Sequence, residues 1–190
     1  IKLFYAFLDK EQPDIIHAHE VYPLISPWVL RACKRRGIPV VLTCHDYRLS
    51  CPIATHFRAG KLCFDCMEQS EFACIRHNCS GSGFKSLSYA LRNWFSKRLG
   101  LFSKNVDLYL TPSEKTRQLL CEYVGLNPDL VRSVGNPVPF VDEESDDWVP
   151  GDYIAYAGRY SPEKGFQFLV DACAELKLKL KVAGDFSGYL

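Results

Sequence analysis

Tyr153-Ile154-Ala155-Tyr156-Ala157-Gly158-Arg159-Tyr160-Ser161-Pro162-Glu163-Lys164-Gly165 reads as a short apolar strand, then a loop carrying two cations, then the start of a helix. In open α/β sheets, ligands bind at the C-terminal ends of the strands. A helix start adds partial positive charge and free backbone N–H groups. Arg159 can grip a phosphate through parallel N–H···O bonds, and Lys164 can face it as a point charge. The stretch therefore points to a diphosphate site. Taken alone, it is also compatible with a surface loop bearing two solvated cations.

Upstream, the same alternation of strand and helix recurs. The pattern predicts a helix end over residues 1–10, a buried strand at 15–18 and a helix over 24–36, with Pro27 in its first turn and Gly37 as its stop. A β-branched strand follows at 39–43. The 84–102 stretch predicts a helix whose Phe84, Leu87, Leu91, Trp94, Phe95, Arg98 and Phe102 lie mainly on one face, packed on a sheet. Strands are expected at 106–110 and 131–134, with a helix at 113–123 capped by Ser113. Such alternation implies α/β architecture, with a parallel sheet covered on both faces.

Six separate segments, in order, resemble retaining glycosyltransferases of family 4, which have the two-domain GT-B fold. They are Asp14-Ile15-Ile16-His17-Ala18-His19, Val40-Val41-Leu42-Thr43-Cys44-His45-Asp46, Thr111-Pro112-Ser113, Asn136-Pro137-Val138, the Gly158-to-Gly165 loop, and Leu180-Lys181-Val182-Ala183-Gly184-Asp185. Pro137 stands where the family pattern has Gly. The resemblance implies a Rossmann-like first domain and the start of a second. It implies donor binding by Gly158, Arg159, Lys164 and Gly184, with His45 beside the donor sugar. Asp46 would orient His45, touch the acceptor or cap the next turn. His19 is expected to line the acceptor side, and His17 to turn toward the core.

Against that pattern the chain reads as an internal fragment that would not catalyse alone. A Gly-rich acceptor loop is expected upstream, and a pair of Glu residues downstream. The expected boundaries are a partial first domain at 1–138 with a Cys-rich insertion at 50–82, a linker at 139–151 and a second domain from 152 to 190. The linker assignment rests on five acids, no bases and flanking prolines. The piece after it is expected to bury too little surface to be stable alone.

Nine cysteines are many for such an enzyme, and five of them fall in the insertion: Cys51, Cys63, Cys66, Cys74 and Cys79. Cys63-Phe64-Asp65-Cys66 is a C-x-x-C, which supplies two adjacent vertices of a zinc tetrahedron from one turn. The insertion is short of apolar residues, so a metal could replace a core. The expected ligands are Cys51, Cys63, Cys66 and Cys79, with Cys74 as substitute and His56 and His77 interleaved. Disulfides, an iron–sulfur cluster and free thiols are the alternatives. This zinc would be structural, and no catalytic metal is expected. Cys33, Cys44, Cys121 and Cys173 lie in apolar segments and read as core.

The net charge of +1 gives no general pull toward nucleic acid, and the mixed charges of the insertion argue the same way. No apolar run approaches the length needed to span a bilayer. The resemblance implies a nucleotide diphosphate sugar donor and a carbohydrate or lipid-linked acceptor. It places the protein in the cytoplasm. Packing on the sheet is the preferred reading of the basic and aromatic 84–102 helix, and peripheral contact at the inner face of the membrane is the alternative. The expected work is polysaccharide or glycolipid assembly. Two other readings stand beside it: a GT-B-like nucleotide-sugar epimerase or phosphorylase, and a metal-stabilised binding module without enzymatic activity.

Overall fold

The structure is a computed structural model and describes residues 1–22, 24–137 and 151–185. Ile1–Arg58 with Leu62–Pro137 form one compact unit, and Ala59–Lys61 with Val138–Leu190 form a second.

In chain order the elements are α1 (Lys2–Glu11), β1 (Ile16–His19), α2 (Trp28–Arg35), β2 (Val40–Thr43), β3 (Phe57–Arg58), β4 (Lys61–Leu62), α3 (Asp65–Glu68), α4 (Ala73–Arg76), α5 (Gly83–Arg98), β5 (Leu108–Thr111), α6 (Glu114–Leu119), β6 (Val131–Ser133), β7 (Tyr153–Ala157), α7 (Phe166–Glu175) and β8 (Lys179–Ala183). The main sheet runs β1-β2-β5-β6, and every neighbouring pair is parallel. The register sets His19 opposite Thr43, Thr43 opposite Leu110, and Thr111 opposite Ser133. The C-terminal ends of all four strands therefore open on one edge. This is the parallel α/β sheet that the alternating sequence implies.

Burial alternates along β2, where Val40 and Leu42 are buried while Val41 and Thr43 are half-buried. They pack in a core with Leu8, Leu30, Tyr109 and Val131. Removing a buried side chain such as Leu30 to Ala would cost about 2–5 kcal/mol. Tyr109 keeps a buried hydroxyl with no hydrogen-bond partner among the described residues.

Three helices differ from their sequence expectation. α2 starts at Trp28 rather than at 24, with Pro27 as its N-cap. Proline disfavours helical geometry in the residue before it, so the helix cannot extend back through Ser26. The 113–123 helix is divided: α6 ends at Leu119 and a wider π turn follows over Leu120–Val124, stopped by Gly125 at φ 73°. Its start is as expected, since Ser113 Oγ accepts the Thr116 N–H at 3.2 Å.

α5 overturns the expected orientation. It ends at Arg98, and the residues it buries are Ser86, Ala90, Asn93 and Ser96. The aromatic face instead meets solvent, with Phe84 81% and Phe95 51% exposed. The reason is polar anchoring plus close approach. Asn93 Nδ2 donates to the Arg48 carbonyl at 2.7 Å, and Ser96 Oγ lies 2.5 Å from the Tyr22 hydroxyl. Small Ala90 and Ser86 let the helix approach its neighbours.

In the second unit, β7 and β8 pair in parallel from Tyr153 opposite Lys179 to Ala157 opposite Ala183, with α7 as the crossover. Cys173 is the one buried residue among those described there. The linker expected at 139–151 lies outside the described residues except for Gly151.

Candidate functional site

β1 ends in Ile16-His17-Ala18-His19, with Ile16 and Ala18 half-buried and both histidines exposed. Period-two alternation sends both histidines to the same face, so the expectation that His17 turns to the core is wrong. His17 Nε2 lies 2.8 Å from Thr43 Oγ1 on β2. His19 Nδ1 lies 2.8 Å from His45 Nε2, just beyond the end of β2. The His17 and His19 rings are 4.2 Å apart, and those of His19 and His45 are 5.1 Å apart. Three imidazoles thus stand in a row on the C-terminal edge of the sheet. Desolvation lowers the His19 pKa, and His17 and then His45 lower it further.

Asp46 does not turn to His45. Its Oδ1 accepts the Arg48 backbone N–H at 2.8 Å, and its Oδ2 accepts from the Arg48 guanidinium at 2.9 and 3.1 Å. The carboxylate caps the turn after β2 and holds Arg48. Of the roles the sequence offered Asp46, turn capping is the one the geometry displays. A pocket of about 30 Å³ opens here, lined by Glu20, Tyr22, Thr43, His45, Asp46 and Phe102 among others. Glu20 was missed in the sequence. It adopts a left-handed φ of 47° directly after His19, and such strain in a non-glycine residue marks a constrained position. Its place behind the His-x-His pair was the only available signal.

The loop after β7 is strand, turn and helix, as expected. Pro162–Lys164 form a short 3-10 turn, and Gly165, at φ 69°, starts α7. Arg159 and Lys164 are both exposed. Burial would raise the Glu163 pKa, but the Ser161 hydroxyl, Arg159 and Lys164 help pull it down. Gly158 and Gly184 meet. A Cβ on Gly184 would stand 1.9 Å from the Gly158 carbonyl oxygen, and its φ of 149° also favours glycine. Gly158 N–H donates to the Ala183 carbonyl at 2.9 Å, which ties the two strand ends together.

All nine cysteines are free thiols. Cys33, Cys44 and Cys173 are buried as expected, and Cys121 is half-buried. Cys66 is surrounded by its fellows. Burial, then Cys51, Cys74, Cys79 and Cys63, push its thiol up to about 12. Cys66, Cys74 and Cys79 pack in one cluster with Ala73 and Ala90. Yet among the described residues no group of three or more His, Cys, Asp or Glu is placed to hold a metal ion. The expected quartet is brought into one neighbourhood without being arranged around a common point.

A parallel α/β sheet with polar side chains gathered at its C-terminal edge defines the class, a ligand-binding domain of the Rossmann type. Residues 1–140 match the family model described as Glycosyltransferase Family 4, and the chain belongs to that family. No curated protein matches it. No helix among the described residues is long and apolar enough to cross a membrane.

Proposed function

We propose that the protein transfers a sugar from a nucleotide diphosphate sugar to an acceptor hydroxyl, with retention at the anomeric carbon. The observation that carries this reading is the histidine row at the sheet edge, where His45 is held by His19 within a chain that belongs to a glycosyltransferase family.

The roles follow from the chemistry. Loss of the diphosphate is the costly event, because negative charge builds on the departing oxygen. Cations that bind that charge more tightly as it develops lower the barrier. Arg159 and Lys164 take this role, and Gly158 and Gly184 leave the backbone bare beside them. His45 orients the sugar through its ring nitrogen not shared with His19. His19 faces the acceptor side, and Asp46 keeps the turn after His45 in shape. With two cations on the diphosphate, the reaction needs no divalent metal there.

The acceptor is proposed to be a carbohydrate or a lipid-linked one, as cell-surface polysaccharide or glycolipid assembly would require. The exposed aromatic face of α5 supports peripheral membrane contact, since Phe84 and Phe95 lie on a helix that also carries Lys85 and Lys97. The test is donor-dependent release of nucleoside diphosphate by the full-length protein, with NMR assignment of the product anomer. A product of inverted configuration, or an epimerised donor with no transfer, would contradict the reading.

A further inference from the structure

The pocket at the sheet edge has charged groups in its wall: two carboxylates, Glu20 and Asp46, against one guanidinium, Arg48. Asp46 and Arg48 answer each other, since both carboxylate oxygens of Asp46 accept from Arg48. The negative charge left over in the wall belongs to Glu20. Arg92 stands behind Tyr22, 4.4 Å from its ring centre, and donates to the Pro52 carbonyl and to Asn93 Oδ1.

Strand register and backbone place Glu20 there. It follows His19 at the end of β1, and His19 lies opposite Thr43, so the chain leaves the sheet beside the turn that carries His45. The left-handed φ of 47° at Glu20 costs a residue with a Cβ, and glycine would adopt it more easily. A glutamate kept there against its backbone preference indicates a use for the side chain. The edge histidines are bonded to one another and to Thr43, and Glu20 enters none of those bonds. The residue is exposed, and it lines the same pocket as His45. Tyr22 and Phe102, with ring centroids 6.1 Å apart, give that pocket an apolar wall.

We propose that Glu20 binds the acceptor and sets its charge class, an inference that rests on the transferase reading of this site. An ionised carboxylate has two oxygens that accept hydrogen bonds and nothing to donate. It takes hydroxyl or ammonium groups, and its bonds to them are stronger than neutral ones. Binding pockets commonly pair a few such polar groups with aromatic walls. The ligand is therefore a neutral or amino-bearing glycosyl unit, with hydroxyls on Glu20 and an apolar ring face toward Tyr22 and Phe102. A uronate or a sugar phosphate at this position would bring a second negative charge beside Glu20, where Arg48 is already paired with Asp46.

The test uses the full-length protein, the donor that supports nucleoside diphosphate release, and octyl glycosides of gluco, galacto and manno configuration. Each glycoside is supplied as the neutral hexoside, the amino sugar and the uronide. Wild-type protein is expected to favour the neutral and amino forms over the uronide by about tenfold in kcat/KM. Glu20→Gln should raise the KM of the preferred glycoside by about five- to twentyfold, hold donor KM within about twofold, and narrow the uronide gap. Glu20→Gly suits the left-handed backbone, so it should keep the wild-type circular dichroism spectrum and raise acceptor KM at least as far. Donor-dependent release with acceptor KM unchanged in both variants would remove Glu20 and leave the transferase reading standing. Equal use of the three forms by wild type, no stimulation by any glycoside, or a donor KM shifted as much as the acceptor KM would also overturn the proposal. No release from any donor by folded wild-type protein would remove the transferase reading, and this inference with it.

Discussion

His19 on β1 and His45 beyond β2 share a hydrogen bond of 2.8 Å, Nδ1 to Nε2, across strands whose register sets His19 opposite Thr43. One of these nitrogens donates and the other accepts, so the pair cannot hold protons on both. The bond fixes the orientation of the His45 ring and engages its Nε2, so the proposed contact with a substrate hydroxyl falls to Nδ1.

His19→Gln should therefore lower kcat for transfer by about five- to tenfold, the worth of one orienting hydrogen bond, with a smaller change in donor KM. The pH profile of kcat should also shift. His19→Ala should lose at least as much as His19→Gln, whose amide can still reach His45. An unchanged pH profile and kcat in both variants would leave the pair without a positioning role.

Asp107 joins α2 to the start of β5. Its carboxylate accepts from Lys34 Nζ at 2.5 Å and from the Val40 N–H at 2.9 Å. The Lys34 bond, chiefly, holds its pKa below the usual carboxylate range. A depressed carboxylate contributes stability above its unfolded pKa and loses it as pH falls through the folded one. Asp107→Asn should cost about 0.5–1 kcal/mol at neutral pH, because solvent screens a half-exposed pair. Urea melts should show that gap closing as the pH falls from about 5 toward 2.

Gly184→Ala and Gly158→Ala should separate clearly. The first places a Cβ on the Gly158 carbonyl, while the second meets the Tyr156 ring at 3.0–3.5 Å, a side chain able to move. Gly184→Ala should destabilise the region by about 1–3 kcal/mol through backbone strain. Gly158→Ala should cost much less. Hydrogen exchange across residues 153–185 of the full-length protein measures both.

Arg92 is the clamp between α5 and the insertion. Its guanidinium lies 4.4 Å from the Tyr22 ring centre and 5.0 Å from that of Tyr89, and it donates to the Pro52 carbonyl at 2.8 Å. Lysine offers neither the planar stack nor the fork. Arg92→Lys should cost about 1–3 kcal/mol in chemical denaturation. A neutral result would remove the clamp from the account.

The strands of the sheet could be read from β-branched and apolar runs such as Val40-Val41-Leu42, and the Ser113 cap from residue type alone. α5 could not. Its apolar residues have helical period, but Asn93 and Ser96 find partners in Arg48 and Tyr22, residues distant in sequence, and those bonds turn the helix over. The His17–Thr43 and His19–His45 contacts depend on strand register, which no single segment encodes. The Asp46–Arg48 clamp was local enough to be found, two residues apart, yet nothing in the sequence favoured it over a catalytic Asp46. The thiols were visible as a cluster, but no single segment showed that His56 is bonded to Ser50 and the Cys63 carbonyl, or His77 to Asp65.

The measurement that bears most directly on the account is a nucleotide-sugar panel on the full-length protein and its R159A/K164A variant, reading nucleoside diphosphate release with and without candidate acceptors. The account predicts acceptor-dependent release from one donor, abolished in a variant that keeps the wild-type circular dichroism spectrum. Undiminished release by the variant, or none from any donor by folded wild-type protein, would contradict it.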